Sequence, residues 1–508
     1  MQASNRLILN TAAQYTRTII NVVLSLYSSR LILQILGESD FGIYSLVGGV
    51  VSLLSFLTNS LVTSTQRYLS VAQGKGDLSE TKQVFNNSLI VHIVLGFMVL
   101  VVFLACEPLL FNGFLNIPVE RIGAARIVYR FVVGMVIVAL LAAPFRAVLV
   151  SRENIVYISV IDVLDGIFKL VFVYLLTYCT FDNLIAYGCI MMGITLFNML
   201  SFVIYGMMKY DECIFPRRRY IDSSSIKGLL SFSGWTMYSS FCVIGRTQGV
   251  AIVLNKVMGT VVNAAYGIGG SLQGYISFVS SSFATAISPQ LMKAKGAGDN
   301  KHMMYLSFFQ CKMSYLLFAL LAIPSIFEMD KLLVLWLGKV PENANFFGIM
   351  FLLNMLFDLL TSGLGTANSA IGRIKAFTVI VNTPKLLAVP LIWIALKFGC
   401  SLFVVGLLFV GSEIISMVLR IPMLRRLVDF SIREFIDYTL IRTIIPVLAS
   451  VAVCFTISIA ISANWRFLLT YSCSGIVLLI LSYYLSLTKD EQLKVNSIIC
   501  SLKNKILK

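Results

Sequence analysis

Residues 84–106 read VFNNSLIVHIVLGFMVLVVFLAC and contain no Asp, Glu, Lys or Arg. A membrane-spanning helix needs about 20 predominantly apolar residues, so this stretch alone predicts a transmembrane helix. Of the 508 residues in the chain, 58 % are apolar and only 13 % are charged, whereas about a quarter of the residues of a soluble protein are charged. The composition therefore indicates a polytopic membrane protein. It excludes a disordered chain, a secreted disulfide scaffold and almost any soluble enzyme of this length.

Apolar runs between charged residues or Pro/Gly breaks predict about 14 transmembrane helices and an all-α polytopic fold. Helices are expected because only helices and closed barrels satisfy the backbone in lipid, and no alternating barrel strands occur in the sequence. We number the predicted spans one to fourteen in chain order. They cover residues 7–36, 41–66, 84–106, 122–149, 154–178, 183–208, 229–256, 261–290, 303–327, 344–371, 376–396, 401–423, 440–462 and 465–487.

Basic residues are distributed unevenly between the predicted loops. With the N-terminus in the cytoplasm, 26 Lys and Arg residues fall on the cytoplasmic side and six on the other. This bias follows the positive-inside rule and predicts that both termini are cytoplasmic. The net charge of +16 is explained in the same way, and no long basic patch with interleaved aromatics suggests nucleic acid. The loop around PRRRY, residues 216–220, either sets the topology or contacts an anionic lipid or phosphate.

An internal repeat relates the two halves of the chain. A shift of 222 residues gives 12 identities in the 41 positions from 37 to 77, including AQGKGD ending at Asp77 and AKGAGD ending at Asp299. Such a duplication predicts two pseudo-symmetric six-helix lobes that bind cargo between them. The predicted domains are the N-terminal lobe (1–209), a basic cytoplasmic linker (210–228), the C-terminal lobe (229–430) and a final segment with spans thirteen, fourteen and a cytoplasmic tail (431–508).

Basic residues inside spans are the best clues to function, because a charge at the bilayer centre costs about 2.5–3.5 kcal/mol on insertion scales. Arg17 and Arg246 occupy spans one and seven, which correspond in the repeat, and Lys385 lies in span eleven. We expect a water-filled cationic cavity between the lobes for an anionic cargo. The alternative is pairing with carboxylates or snorkelling to the interface. The candidate substrate-binding residues are Arg17, Arg246, Asn10, Gln14, Asn21, Asn255 and Lys385.

Acidic residues inside spans are candidates for binding a coupling ion. Asp358 and Asn354 share a face of span ten, and Glu413 lies in span twelve; each could bind H⁺ or Na⁺, or form salt bridges between helices. For the acids of span five we favour salt bridges. Two histidines and ten cysteines without a CxxC pair suggest neither a metal site nor a histidine-based triad. We therefore predict no catalytic residue, metal or cofactor, and no enzyme.

The sequence SRLILQILGESDFGIYSLVGGVVSLLSFL, residues 29–57, is followed by Arg67 at the end of span two. It resembles the opening of bacterial polysaccharide transporters. With the repeat and the fourteen spans, the chain is similar to the O-antigen flippases of the multidrug/oligosaccharidyl-lipid/polysaccharide (MOP) exporter superfamily. The resemblance implies a MATE-like fold and a bacterial inner-membrane flippase. Such a protein would move an undecaprenyl-pyrophosphate-linked oligosaccharide to the outer leaflet by alternating access, for lipopolysaccharide or capsule biosynthesis.

The resemblance also implies roles and partners. Arg17 and Arg246 would match the pyrophosphate by position, since guanidinium binds such oxygens bidentately. Expected partners are the lipid-linked oligosaccharide, membrane lipids and, alongside them, polysaccharide polymerase and chain-length proteins, but no nucleic acid. The competing functions are a MATE-type ion-coupled small-molecule antiporter, a lipid II flippase and a membrane enzyme. Span one carries no acid before Glu38 and span seven carries none, which argues against export of cationic drugs.

Overall fold

The computed structural model describes most of the chain beyond residue 54 and parts of the N-terminal helix. The described residues are 10, 12–21, 23–24, 27–28, 31–32, 34–37, 40, 43–44, 55–111, 117–178, 180–337, 340–461, 465–493 and 496. Within these ranges every regular element is helical. Among the described residues, nine helices are long and apolar enough to cross a membrane, or ten if Ala344–Leu359 and Ser362–Ile371, which are bent by 47° at their junction, are taken as one span.

The helices follow the predicted spans in order. The described residues from 10 to 37 are helical and belong to span one. The helices of spans two to fourteen are Ser55–Lys75, Leu78–Leu109, Ile122–Ser151, Ile155–Leu175, Asn183–Lys209, Ser223–Met258, Thr260–Gly296, Asn300–Phe327, Ala344–Leu359 with Ser362–Ile371, Ile374–Lys397, Leu402–Arg425, Ile432–Ala460 and Arg466–Ser486. A short extra helix, Met329–Leu337, follows span nine. The predicted all-α polytopic fold is confirmed; residues 45–54 of span two and the tail 497–508 lie outside the described residues.

Spans two, five and eight are not among these ten but are still long enough to cross. Their helices have 21, 21 and 37 residues, and at 1.5 Å per residue even 21 residues extend about 31 Å, the thickness of the hydrocarbon core. Span five is strongly apolar apart from three charged residues, Asp162, Asp165 and Lys169. Asp162 pairs with Arg17, and Asp165 lies near Lys169, so these charges have partners within the first unit.

The chain divides into two compact units. The first comprises Met1–Met237 with Gly296–Gly298, and the second Tyr238–Lys295 with Asp299–Lys508. In the first unit span four packs against spans two, three and six. In the second, span nine packs against spans ten, thirteen and fourteen, and span eleven packs against span twelve. The final two spans are thus integrated into the second unit through span nine.

Large apolar side chains are exposed along whole helix faces. On span three Val94, Phe97, Met98, Val101 and Val102 are all exposed. A contiguous apolar surface of this kind would associate in water, but it matches the hydrocarbon core of a bilayer. The chain is therefore a multi-pass membrane protein by its surface as well as by its composition.

The repeat is visible in the local backbone. Gly76 and Gly298 occupy matching positions, and both adopt a positive φ, of 75° and 80°, which glycine tolerates without strain. The next residues, Asp77 and Asp299, both cap the following helix, accepting hydrogen bonds from backbone N–H groups of its first turn. The two halves therefore turn between their second and third helices in the same way. The matched residue Gly48 lies outside the described residues.

Candidate functional site

Five charged side chains from four spans meet inside the second unit; we call them the C-terminal charge cluster, namely Arg246, Asp358, Lys385, Glu413 and Arg420. Glu413 binds two cations at once, because its Oε2 lies 3.1 Å from Nη2 of Arg246 and its Oε1 lies 2.7 Å from Nζ of Lys385. Glu413 is 1 % exposed and Arg246 is 3 % exposed. A buried carboxylate is tolerated only when it is paired in this way.

Arg420 connects this cluster to the break in span ten. Its Nη2 lies 2.5 Å from Oδ1 of Asp358, and its Nη1 donates to the backbone oxygen of Asp358 at 2.9 Å and to Oγ1 of Thr361 at 3.2 Å. The last carbonyls of a helix have no intrahelical partner, and Asp358 is the penultimate residue of Ala344–Leu359. Arg420 therefore satisfies a backbone oxygen that the bend leaves free. The side chain of Asp358, 26 % exposed, is the most accessible of the cluster.

The C-terminal charge cluster contains three cations and two carboxylates, so its net charge is +1. Arg246 is held by more than its carboxylate: Nη1 donates to Oδ1 of Asn354 at 3.3 Å and to Oγ of Ser412 at 3.1 Å. Its guanidinium carbon also lies 4.3 Å from the ring centroid of Phe409, a cation–π arrangement. Hydrogen bonds to two neutral side chains and the aromatic ring thus stabilise the guanidinium of Arg246 in a cluster whose positive charge exceeds its negative charge.

A second cluster lies in the first unit; we call it the N-terminal charge cluster, and it consists of Arg17, Arg146 and Asp162. Oδ2 of Asp162 lies 2.6 Å from Nη1 of Arg17 and 3.2 Å from Nη2 of Arg146. The three side chains come from spans one, four and five, and they are partly exposed. Two cations share one carboxylate, so this cluster also has a net charge of +1.

A polar cavity of about 360 Å³ adjoins Asp162 in the first unit. Asn21, Ser28, Asp165 and Lys169 contribute to its wall. Asp165 accepts a hydrogen bond from Nδ2 of Asn198 at 2.6 Å, and the Nζ of Lys169 lies 3.9 Å away. Within the described residues, the Oδ1 of Asn21 and the Oγ of Ser28 are buried without a hydrogen-bond partner. The cavity can therefore accept a polar ligand or water.

The structure brings most of the predicted site residues together, in different groups from those expected. Arg246 and Lys385 were predicted to bind the substrate. They lie in one cluster with Asp358 and Glu413, which were predicted to bind the coupling ion. Asn354, also predicted for the coupling ion, accepts a hydrogen bond from Arg246. Asn255, nine residues beyond Arg246 on the same helix, is about 13 Å further along the axis and exposed.

The remaining predicted residues lie in the first unit. Asn10 and Gln14 are buried, and Nδ2 of Asn10 donates to the backbone oxygen of Glu153 at 2.8 Å. Asn21 lines the polar cavity beside Arg17. Asn10 therefore faces the loop before span five, whereas Arg17 and Asn21 face span five itself.

Arg17, Arg246 and Lys385 are not unpaired cations, because each contacts a carboxylate. Pairing was the alternative to a fully cationic cavity, and the structure shows pairing with a surplus of positive charge. The cavity between the lobes stays a prediction, as do the individual roles in substrate and ion binding.

Two members of the clusters were missed by sequence reasoning. Arg146 and Arg420 lie near the cytoplasmic ends of predicted spans four and twelve and were included in the 26 cytoplasmic basic residues, but both lie within helices and bind acids of neighbouring helices. For Arg420 a signal existed, since it follows Glu413 by seven residues and therefore shares its helix face. For Arg146 no such spacing was available.

The clusters do not resemble a metal centre. In the part of the chain that the structure describes, no group of three or more His, Cys, Asp or Glu side chains could hold a metal ion. Each acid of the clusters faces basic groups instead. The arrangement can bind an anion, or take up a proton or a monovalent cation at its most accessible carboxylate.

Comparisons with known proteins identify the fold. No protein-family model matches the sequence. Among curated proteins, the chain is 21 % identical over 345 residues to the uncharacterized membrane protein EpsK of Bacillus subtilis, which corresponds to 68 % of this chain and 67 % of that protein. At this identity the similarity shows a distant relative and carries no function.

Solved structures match over 84 % of this chain. A MOP superfamily transporter from Pyrococcus furiosus, described as having a binding pocket of reverse polarity, superimposes with a TM-score of 0.66 at 13 % identity and 96 % coverage of that chain. An outward-facing multidrug resistance MATE transporter gives 0.67 at 14 % identity, also with 96 % of that chain covered. A Vibrio cholerae MATE transporter gives 0.66 at 16 % identity with the same coverage. The chain thus has the fold of the MATE transporters of the MOP superfamily.

Proposed function

We propose that this protein is a flippase that moves an undecaprenyl-pyrophosphate-linked oligosaccharide, an O-antigen or capsule repeat unit, from the cytoplasmic to the outer leaflet by alternating access. The observation that carries the proposal is the charge balance of the two clusters. Among the described residues, each cluster contains one more cation than carboxylates. In the first unit Arg17 and Arg146 share the single carboxylate of Asp162. In the second unit three cations share two carboxylates.

A surplus of positive charge in the two clusters favours an anionic cargo. Arginine forms paired hydrogen bonds with phosphate oxygens, and such bonds are stronger where water is scarce. A cationic drug would be repelled by the same surplus. A diphosphate, with its several anionic oxygens, has the charge and geometry that these guanidinium groups would bind.

An ion-coupled small-molecule antiporter of the MATE type is the second candidate function. Similarity to multidrug resistance MATE transporters favours it, as does the partial exposure of Asp358, a carboxylate placed to exchange a proton or Na⁺. A lipid II flippase shares the diphosphate chemistry of the first proposal. For each of these functions we assign binding of the coupling ion, H⁺ or Na⁺, to Asp358 and Glu413. Transport of a cargo against its gradient requires such an ion to move with it or in exchange for it.

The cellular setting belongs to the proposal. We place the protein in the bacterial inner membrane with both termini in the cytoplasm, on the strength of the 26-to-6 distribution of basic residues. There it would receive its cargo from the enzymes that assemble lipid-linked oligosaccharides. It would deliver that cargo to a polysaccharide polymerase and its chain-length proteins.

The double variant R17Q/R246Q tests the charge balance directly. It removes one cation from each cluster, yet Asp162 keeps Arg146, Glu413 keeps Lys385 and Asp358 keeps Arg420, so no acid is left unpaired. In a deletion strain we expect normal membrane levels of this variant and loss of surface polysaccharide. The exposed pair R425Q/R426Q, with the same loss of charge, is the control and should complement fully.

The outcomes separate the candidate functions. Normal surface polysaccharide with the well-expressed double variant would overturn the flippase proposal. Drug sensitivity of the deletion strain with unaffected polysaccharide would favour the antiporter instead. A block in peptidoglycan synthesis would point to lipid II.

A further inference from the structure

The segment between the helices of spans six and seven, residues 210–222, carries three consecutive arginines, and we call it the linker strap. The beginning of the strap is anchored in the first unit. Glu212 is 0 % exposed and binds Arg152 with both oxygens, Oε1 at 2.7 Å from Nε and Oε2 at 2.9 Å from Nη2. The next residue, Cys213, is buried in the same core as Phe145. A buried ion pair and apolar packing therefore immobilise this part of the strap.

The end of the strap is held by two buried amides of span three. Oδ1 of Asn86 accepts a hydrogen bond from the backbone N–H of Arg217 at 2.7 Å, and Oδ1 of Asn87 accepts one from that of Asp222 at 3.2 Å. Both asparagines are 0 % exposed. Asp222 in turn caps the span-seven helix by accepting from the N–H of Ser225 at 2.8 Å. A loop whose basic residues only determine the membrane topology does not require a fixed conformation, and so does not require these hydrogen bonds to buried side chains.

The outer surface of the strap is basic and apolar. Arg217, Arg218 and Arg219 are exposed, and within the described residues no carboxylate forms an ion pair with any of them. Two apolar side chains flank them and are also exposed, Phe215 at 70 % and Ile221 at 50 %. The strap contains three acids. Glu212 is bound to Arg152 and Asp222 is engaged in the helix cap. The third, Asp211, is exposed six residues before Arg217 and forms no ion pair with the arginines among the described residues.

We propose that the linker strap is a fixed docking surface for the anionic lipid headgroups of the leaflet that surrounds it. The strap joins the ends of two membrane-spanning helices, so its exposed face lies at the level of the headgroups. Guanidinium groups bind phosphodiester oxygens, and an aromatic ring beside them partitions into the interface. A free phosphate would bind the arginines but would not contact Phe215 and Ile221. A bilayer would contact the arginines through its headgroups and these two apolar side chains through its interface.

The test compares lipid retention by the purified full-length protein after reconstitution in vesicles of phosphatidylglycerol and phosphatidylcholine. Bound lipids are counted after extraction into detergent, for wild type, R217Q/R218Q/R219Q and the control R425Q/R426Q/R433Q, which loses three exposed arginines elsewhere. We expect wild type and control to retain phosphatidylglycerol selectively. We expect the strap variant to lose this preference by roughly tenfold or more, because each basic residue contributes to attraction to an anionic surface.

Two further measurements distinguish lipid docking from phosphate binding and from a role in topology alone. F215A should weaken retention with no change in charge, whereas F398A, at an exposed phenylalanine outside the strap, should not. Labelling of the exposed Cys400 from outside intact cells reports topology and should be unchanged in the strap variant. Retention equal to wild type in the strap variant and F215A would overturn the proposal. Displacement of phosphatidylglycerol by inorganic phosphate, or an inverted Cys400 with retention intact, would also overturn it.

Discussion

The Nζ of Lys385 lies 2.7 Å from Oε1 of Glu413, while Arg246 occupies the other oxygen of the same carboxylate at 3.1 Å. Spans seven, eleven and twelve are therefore joined at one side chain. The Nη2 of Arg420 also lies 3.5 Å from Oε1 of Glu413, so all three cations of the cluster contact this one acid. The stability of the second unit should therefore depend on Glu413 more than on any single cation.

Glu413→Gln should destabilise the second unit by about 3–5 kcal/mol, since it leaves three buried cations with one carboxylate. Thermal unfolding of the purified protein in detergent measures the effect. The matched control is Glu434→Gln, at an exposed position of the same unit, which should change stability little. Equal unfolding temperatures for the two variants would contradict the role assigned to Glu413.

Arg420→Lys should loosen the break in span ten although it preserves the charge. Arg420 makes three contacts, to the backbone oxygen and Oδ1 of Asp358 and to Oγ1 of Thr361, and an ammonium group cannot reproduce this fork. We expect amide hydrogen exchange to accelerate at residues 356–362, by about tenfold for the loss of roughly 1.4 kcal/mol. Arg425→Lys, near the exposed end of the same helix, should leave exchange unchanged. Unaltered protection in Arg420→Lys would refute this role of Arg420.

Arg121 bridges two acids outside the membrane-spanning segments. Its Nη1 lies 2.5 Å from Oδ2 of Asp182, and its Nε donates to Oδ1 of Asp40 at 2.8 Å. Burial alone would raise the pKa of Asp182, but the hydrogen bond from Arg121, the backbone N–H groups of Leu184 and Ile185 and the arginine charge outweigh it, so the pKa lies below its usual value.

This lowered pKa predicts a pH dependence of stability. The ionised Asp182 stabilises the fold above its unfolded pKa of about 3.9, and the contribution is lost as the pH falls through the lower folded pKa. Asp182→Asn keeps a helix-capping residue but removes the charge, so it should lower the unfolding temperature at pH 7 by roughly 1 °C, for about 1 kcal/mol. The difference from wild type should shrink as the pH falls below the unfolded pKa and vanish once the pH lies below the folded pKa. Glu120→Gln, at an exposed position next to Arg121, is the control; a constant difference at every pH would exclude this mechanism.

Glu491, beyond the last span, holds the C-terminal segment against span nine. Its Oε2 lies 2.7 Å from Nζ of Lys312, which is 0 % exposed, and its Oε1 accepts a hydrogen bond from Tyr438. Burial raises the pKa of Glu491, but the charge of Lys312 and the hydrogen bonds from Lys312 and Tyr438 outweigh burial and bring the pKa below its usual value.

Glu491→Gln should release this segment, because it leaves the Lys312 ammonium buried without a counter-ion. We expect tryptic cleavage at the adjacent Lys489 to accelerate by about tenfold or more, since local opening limits cleavage. Glu434→Gln, at an exposed position away from the cleaved bond, should leave the rate unchanged. Equal cleavage of the two variants would mean that the ion pair does not secure the segment.

The positions of the spans could be predicted because each apolar run is long enough to be recognised without any tertiary information. Arg246, Lys385 and Glu413 were found for a related reason, since a charge in an apolar run is conspicuous. Their pairing was not predictable, because it depends on how three separate helices are rotated. Arg146 and Arg420 lie near helix ends, where the sequence does not show whether a charge faces water or a buried acid. The N-terminal charge cluster was missed for this reason, although Arg17 had been noted and salt bridges were expected for the acids of span five.

The central claim is that the surplus positive charge selects a diphosphate-linked lipid cargo. Its most direct test is translocation in proteoliposomes, comparing one labelled oligosaccharide attached to the same polyprenyl chain through a diphosphate or through a neutral linkage. We expect rapid movement of the diphosphate form and little movement of the neutral form. This difference should be lost in R17Q/R246Q and kept in R425Q/R426Q. Equal translocation of both lipids by the wild type, or undiminished diphosphate transport by R17Q/R246Q, would contradict the claim.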